Sequence, residues 1–171
     1  RLWTPRDDAQ GTHLGFQHCA GEPPECITVG TPGDELFCTW SRREASIHLW
    51  SSAGKHITKI DTPATGVRNV WAARPGEQTL LVAWLRDAGV QIYTLSGILV
   101  ASIELVDDEI TAVAVSDAEE VVVGSDSGTV AVFNLQGQHR ETYAGHRDRV
   151  SACHVVPGGI IVTSARDRTI R

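Results

Sequence analysis

The sequence is unusual first for what it lacks, and the missing features bear on several classes of protein. It contains no methionine, not even at position 1, so we expect the chain to be a piece of a longer protein whose native start is not visible. No apolar run approaches the ~18 residues of a membrane-spanning helix. The first residues, Arg1 to Asp8, lack the apolar core of a signal peptide. We therefore predict neither a membrane span nor a secretory leader in this sequence, and no membrane partner.

Lysine is nearly absent, and the positive charge is unevenly placed. Only Lys55 and Lys59 are lysines, and the formal net charge is −6. An acidic chain is a poor candidate for nucleic-acid binding, which depends on many contacts to phosphate. From Arg140 to the end, however, six arginines oppose three acidic residues, a local balance of +3 that leaves −9 for the rest. Arginine makes planar, two-point contacts with carboxylates, which favours a protein or peptide partner.

Cysteine is scarce, and its spacing fits no common metal site. The four residues, Cys19, Cys26, Cys38 and Cys153, are separated by intervals of 7, 12 and 115, which match no common zinc pattern. We expect free thiols that pack as small apolar groups, with a Cys19–Cys26 disulfide as the open alternative. A phosphate-binding loop is missing too, because Gly124–Gly128 has the pattern of a strand turn. No metal and no cofactor are expected, and the predicted compartment is reducing and cytoplasmic.

What the chain does contain is an internal repeat. One feature that aligns the copies is an apolar strand that ends in an aromatic residue. The aromatic residues stand at positions 3, 50, 93 and 133, at intervals of 47, 43 and 40 residues. An independent feature is an earlier apolar strand, at 26–29, 69–72, 112–115 and 152–155, with steps of 43, 43 and 40. Two features that keep one period indicate a repeated structural unit.

Each unit has the pattern of four short strands. In the clearest copy, 110–115 and 129–135 alternate in polarity, 121–123 is a run of three valines, and 139–143 is a polar outer strand. No 3.6-residue apolar period persists anywhere. These features predict an all-β fold made of β-propeller blades, each a four-stranded antiparallel sheet. A β-sandwich is the alternative, although a sandwich does not require a sequence repeat of this length.

The period divides the chain into about four blades' worth of strands. The predicted boundaries are 1–21 (partial), 22–65, 66–108, 109–145 and 146–171 (partial). Because an open stack of blades exposes apolar faces, we expect the chain to form part of a larger ring. The alternative is a unit whose ends complete one another, since Leu2-Trp3 continues the pattern that stops at Thr169-Ile170-Arg171. Closure within one chain, or self-association of two, would then complete the ring.

The end of the chain carries the most specific motif. From Gly145 it reads Gly-His, a short apolar strand, Pro-Gly-Gly, a second apolar strand and an Arg-Asp-Arg turn before the start of a third strand. This order resembles the Trp-Asp (WD) repeat, the blade unit of a β-propeller family. The resemblance is moderate at 110–135 and weak at 22–61. It implies a rigid ring, usually of seven blades, that binds partner proteins without catalysis.

Three polar residues of this stretch, His146, Thr163 and Asp167, match the resemblance by position. In WD repeats a His before the first strand, a Ser or Thr on the second strand and the Asp of the next turn form a buried hydrogen-bond network. The resemblance therefore implies a structural role, although the trio also has the residue types of a hydrolytic triad. The other copies carry different residues at the Asp position (Glu44, Asp87, Ser127) and at the Ser/Thr position (Trp40, Ala83, Val123). We expect those blades to be held mainly by apolar packing.

An arginine recurs directly before the acidic residue of the turn that follows the second strand of a unit. Arg43, Arg86 and Arg166 occupy this position in three units, and an aspartate occupies it in the fourth. The resemblance implies that the turn shares one face with the loop before the first strand, where further arginines join it (Arg68, Arg147, Arg149, Arg168). An arginine-rich rim suits acidic or phosphorylated peptides, and an ordinary solvated turn is the alternative.

These expectations define the predicted function. The chain is expected to be a non-catalytic interaction scaffold or ligand-sensing propeller within a larger multidomain signalling protein. The alternative is a propeller enzyme or a small-ligand sensor that uses the central channel, which would need titratable residues converging on the axis. The first hypothesis predicts that reversing Arg43, Arg86 and Arg166 to Glu abolishes partner capture without unfolding the ring.

Overall fold

A computed structural model describes residues 2–4, 12–14, 25–31, 34–63, 66–117 and 119–171. This part of the chain consists of β-strands, turns and loops, so the prediction of an all-β fold is confirmed. It includes no helix able to cross a membrane. The strands are β1 Leu2–Thr4, β2 Thr12–Leu14, β3 Glu25–Thr31, β4 Asp34–Trp40, β5 Ser46–Ser51, β6 His56–Asp61, β7 Val67–Ala73, β8 Leu80–Leu85, β9 Val90–Thr94, β10 Leu99–Ile103, β11 Ile110–Val115, β12 Glu120–Ser125, β13 Thr129–Asn134, β14 His139–Ala144, β15 Val150–Val156 and β16 Ile160–Ala165.

The strands form three four-stranded antiparallel sheets and two hairpins. Within each sheet, strands that follow one another in sequence are neighbours: blade 1 is β3–β6, blade 2 is β7–β10 and blade 3 is β11–β14. The hairpins are β1–β2 and β15–β16. The three blades lie within the predicted intervals 22–65, 66–108 and 109–145. They confirm the prediction of propeller-like blades with four antiparallel strands.

The blades pack face to face because their middle strands are apolar on both sides. Strands β8 and β12 are almost entirely buried, whereas the outer strand β14 is exposed along its length. One core cluster joins blades 1 and 2 and includes Leu49 and Leu81. A second joins blades 2 and 3 and includes Ile92 and Val121. A third joins blade 3 to the β15–β16 hairpin and includes Val150. Each complete blade thus covers part of its neighbours' apolar faces.

The first strand carries the same irregularity in three successive units. Its pairing with the second strand shifts register near its start in blade 2, in blade 3 and in the β15–β16 hairpin. The shifts fall between Val67 and Asn69, between Ile110 and Ala112, and between Val150 and Ala152. A bulge of this kind bends a strand and redirects its side chains. Its recurrence at equivalent positions makes the sequence period a structural period as well.

In blade 2, blade 3 and the β15–β16 hairpin, the loop before the first strand lies against the turn that follows the second strand. The backbone N–H of Arg86 donates to Gly66 O at 3.1 Å, that of Asp126 to Glu109 O at 3.0 Å, and that of Arg166 to Arg149 O at 2.9 Å. These equivalent bonds hold loop and turn side by side. We call this end of the stack the turn face; it comprises the loops before β7, β11 and β15 and the turns after β4, β8, β12 and β16.

Of the cysteines in the described ranges, Cys38 is buried, Cys153 is half-buried and Cys26 is exposed. Cys26, Cys38 and Cys153 are free thiols, and Cys19 lies outside the described residues. Burial raises the pKa of Cys38 to about 12, with a further contribution from Cys26. Burial alone raises the pKa of Cys153 to about 12. A thiol with so high a pKa stays protonated at neutral pH and is a poor nucleophile or metal ligand.

Candidate functional site

His146 is the centre of a polar network where the β15–β16 hairpin meets the turn face. Only 2% of its side chain is exposed. Its Nε2 lies 2.8 Å from Thr163 Oγ1, and its Nδ1 lies 3.1 Å from Asp167 Oδ2 and 3.0 Å from Thr169 Oγ1. The structure therefore brings His146, Thr163 and Asp167 together. It adds Thr169, which the sequence analysis did not single out.

The Asp167 carboxylate ties the loop before β15 to the turn after β16. It accepts the backbone N–H of Arg147 at 3.0 Å, and from Thr169 it accepts the backbone N–H at 2.9 Å and the hydroxyl at 2.7 Å. The Arg147 N–H, followed by the Thr169 hydroxyl, holds the pKa of Asp167 well below its usual range. The carboxylate is thus ionised and fully occupied in joining two backbone segments.

The order hydroxyl, imidazole, carboxylate is also that of a hydrolytic triad. However, Thr163 is buried, with 6% of its surface exposed. Its backbone N–H donates to Arg171 O at 2.9 Å, so that group is not free to bind an oxyanion. A 330 Å³ pocket borders His146 and Thr163, and its lining is largely apolar, with Tyr143 and Ile161 among its walls. The geometry suits a network that satisfies buried polar groups.

Blade 3 joins its loop and turn with different residues. The Ser127 hydroxyl donates to Asp108 Oδ2 at 2.6 Å, and the Ser127 N–H donates to Asp108 Oδ1 at 3.2 Å. Burial acts to raise the pKa of Asp108, but hydrogen bonds from Ser127, Ser125 and the Glu109 N–H outweigh it, and the pKa is lowered. Here the carboxylate comes from the loop and the hydroxyl from the turn. Blade 3 is packed through two apolar clusters, as expected, and this polar connection at its turn face is an addition that the sequence did not predict.

The predicted partner-binding arginines fall into separate groups. Arg147, Arg166 and Arg168 are exposed on the loop and turn that Asp167 joins. Among the described residues, no carboxylate forms an ion pair with any of these three side chains. We call these three residues the basic corner. Arg43 and Arg86 are exposed in the turns after β4 and β8, in blades 1 and 2.

Arg149, also predicted to bind a partner, is already engaged within the protein. Its Nη1 lies 2.8 Å from Asp126 Oδ1 and 3.7 Å from Glu109 Oε2. Glu109 Oε1 lies 3.6 Å from Arg68 Nη2, and the Arg68 guanidinium lies 4.9 Å from the centre of the Trp84 ring. This chain of charges crosses from blade 2 to the β15–β16 hairpin. It gives Arg149 a role in joining neighbouring units.

An acidic sector surrounds Arg86 on the turn face. A 640 Å³ pocket lies between the turn after β8 and the loop before β11. Arg86 contributes one positive charge to its lining, against the carboxylates of Asp87, Glu104, Asp107, Asp108 and Glu109. The rim is therefore not uniformly basic. The repeated turn positions do not predict this sector, because most of its carboxylates come from the loop that follows β10.

The comparisons with known proteins support the fold and carry no information on function. No protein-family profile matches the chain, and no curated protein is significantly similar in sequence. The crystal structure of the computationally designed Ika4 protein is similar, with a TM-score of 0.71 and 21% identity over 95% of this chain and 97% of that chain. The crystal structure of the computationally designed Ika8 protein has a TM-score of 0.62 and 23% identity over 84% of this chain and 43% of that chain.

Proposed function

We propose that this chain is a non-catalytic interaction module of the WD-repeat type, and that its basic corner binds an acidic or phosphorylated segment of a partner protein. The observation that carries the proposal is the state of Arg147, Arg166 and Arg168. All three are exposed and lack an ion pair among the described residues, whereas Arg149 and Arg68 are paired. Guanidinium groups in this state are able to make two-point hydrogen bonds with carboxylate or phosphate oxygens.

The backbone that carries the basic corner is also held in place before a partner binds. The Asp167 carboxylate and the bond from Arg166 N–H to Arg149 O hold its two backbone segments together. Preorganised groups lose less conformational entropy when a partner binds. Asp167 is directed to His146, Thr169 and the backbone, so it does not occupy the three guanidinium groups. The neighbouring acidic sector repels an acidic peptide and favours one orientation, with basic residues of the partner on that side.

We further propose a cytoplasmic location and a signalling role for the module. The free, protonated thiols of Cys38 and Cys153 support a reducing compartment. Recognition of phosphorylated segments by arginine clusters is a common signalling device. The signalling role rests on the proposed binding activity and falls with it, whereas the location rests on the thiols.

Fluorescence anisotropy with defined peptides tests the proposal. The probes are labelled 12-residue peptides rich in Asp and phosphoserine, each paired with a version carrying Ser and Asn instead. We expect binding only of the anionic versions, and we expect the Arg166→Glu/Arg168→Glu variant to bind about tenfold more weakly, since each exposed charge pair contributes roughly 0.2–1 kcal/mol.

The matched control is Arg74→Glu/Arg140→Glu. It makes the same change of net charge at exposed positions outside the turn face. Equal loss of affinity in both double variants would show a general charge effect and would overturn the assignment to the basic corner. Failure of every anionic peptide to bind the wild-type chain would overturn the proposed partner class.

A further inference from the structure

Blade 1 carries two histidines whose ring nitrogens meet at its outer side. His48 lies on β5 and is buried, and His56 begins β6 and is exposed. His48 Nδ1 lies 3.1 Å from His56 Nε2, and His48 Nε2 lies 3.2 Å from Ser46 Oγ. If His48 Nε2–H donates to Ser46, its Nδ1 keeps a lone pair directed towards His56. We propose that His48 and His56 together bind a divalent transition-metal cation of the kind that imidazole nitrogen suits, such as Zn²⁺.

The spacing of the two nitrogens suits a shared cation. Two nitrogens 3.1 Å apart, each about 2.05 Å from one ion, subtend an angle of about 100° at that ion. An angle of this size is compatible with the tetrahedral arrangement that zinc favours. Imidazole nitrogen is also a preferred ligand for zinc, copper and nickel. The Ser46 hydroxyl supplies the outer hydrogen bond that commonly fixes the tautomer of a metal-binding histidine.

A solvent-accessible groove leads to the pair. It has a volume of 530 Å³ and is lined by Glu44, Ser46, His48, His56, Lys59 and Asp61, together with Ala45. Lys59 Nζ lies 2.6 Å from Asp61 Oδ1, so its charge is balanced locally. Within the described ranges, no three Cys, His, Asp or Glu side chains are arranged to ligate one ion together. Among the described residues, the proposed site thus offers two nitrogen ligands, and water would occupy further coordination positions.

Trp50 holds both rings in place. Its ring stacks on His48 with centroids 6.2 Å apart, and it meets His56 edge to face with centroids 4.7 Å apart. The Trp50 Nε1–H donates to Thr39 Oγ1 at 2.8 Å, which fixes the indole in turn. A preorganised pair loses little side-chain entropy when an ion binds.

The other complete blades show that the fold does not require this pair. By strand register, the positions of His48 and His56 correspond to Gln91 and Leu99 in blade 2 and to Ala131 and His139 in blade 3. His139 packs edge to face on Phe133, with centroids 5.4 Å apart, as His56 does on the indole of blade 1. Only blade 1 among the three places histidine at both positions. His139 is therefore a natural control for the pair.

Calorimetric titration of ZnCl₂ into the whole chain at pH 7.5 tests the proposal. We expect binding that weakens about tenfold or more in His56→Gln and is unchanged in His139→Gln. Because His56 is exposed, its replacement is expected to leave the fold intact, which circular dichroism checks. Lowering the pH to 5.5 should weaken binding, since imidazole must be deprotonated to bind metal.

Nitrogen NMR of the histidine rings identifies the ligands directly. Zinc is expected to shift His48 Nδ1 and His56 Nε2 and to leave the His139 ring nitrogens unchanged. Equal zinc affinity in the wild-type and His56→Gln chains, or zinc binding without shifts at these two nitrogens, would overturn the proposal. So would the absence of zinc binding to the wild-type chain. None of these outcomes depends on the basic corner.

Discussion

At the scale of single residues, the surroundings of His146 make each of its partners important. The ring is buried, and both nitrogens have hydrogen-bond partners from the turn and from β16. A buried nitrogen that loses its partner keeps its full desolvation cost, because water does not replace the lost bond. Thr163 and Asp167 therefore act on stability through His146 and through the backbone segments they join.

Thr163→Val tests this role with little change of shape. Valine removes the hydroxyl and leaves His146 Nε2 without a partner, so we expect a loss of about 1–3 kcal/mol in the free energy of unfolding. Urea denaturation measures it. The control is Thr28→Val on an exposed position of β3, which is expected to change stability by less than about 0.5 kcal/mol. Equal stability of Thr163→Val and the wild-type chain would refute a structural role for the network.

The lowered pKa of Asp167 predicts an acid response. A carboxyl whose folded pKa is lowered contributes stability above its unfolded pKa, about 3.9, and loses that contribution as pH falls through the folded pKa. Asp108 has a lowered pKa too, so the unfolding temperature should fall below about pH 4. Asp167→Asn should be less stable at pH 7 and should lose less on acidification. Measuring the unfolding temperature at pH 7, 5, 4 and 3 tests this prediction, with Asp117→Asn in an exposed turn as control. If the unfolding temperatures of the wild-type chain and of Asp167→Asn fall in parallel as the pH is lowered, the prediction is wrong.

At the scale of elements, the contact between blade 3 and the β15–β16 hairpin depends on Gly124. A Cβ at this position of β12 would lie 2.4 Å from Val150 Cγ1 and 3.0 Å from Cys153 Sγ. Gly124→Ala is therefore expected to cost about 1–3 kcal/mol of stability, as overpacking does. The double variant with Val150→Ala should lose less than the sum of the two single changes. The control is Gly145→Ala, where the three atoms nearest to an added Cβ all belong to the flexible Arg171 side chain, at 3.3 to 3.5 Å. Simple additivity in urea denaturation would show that the two sites are independent.

The strands were predictable because their signals are local. Short apolar runs, turn residues and a repeated aromatic position lie within a few residues of each other, and the confirmed blades follow from them. The polar connection of blade 3 was not predictable in this way. Ser127 takes the place of the turn carboxylate and Asp108 supplies the charge from 19 residues away, so a comparison by position finds Ser127 but not its partner.

At the scale of the whole molecule, the turn face has a mixed charge pattern. The bridge from Asp126 to Arg149 spans 23 residues, and Glu109 joins that arginine to Arg68 of blade 2. Ion pairs between units depend on the residues of two or more stacked units, so the sequence of a single repeat does not predict them. The sequence therefore indicated where arginines gather on the turn face. It did not indicate that Arg149 is paired while Arg147, Arg166 and Arg168 are exposed without ion pairs among the described residues.

The central claim is that the His146 network maintains the fold while the arginines beside it bind the partner. Measuring the unfolding free energy and the affinity for one anionic peptide, in Thr163→Val and in Arg166→Glu/Arg168→Glu, tests it most directly. We predict that the first variant loses stability but binds as the wild-type chain does at a temperature where it is folded. The second should keep its stability and bind about tenfold more weakly. The opposite pattern, with binding lost in a folded Thr163→Val chain and kept in the arginine variant, would contradict the account.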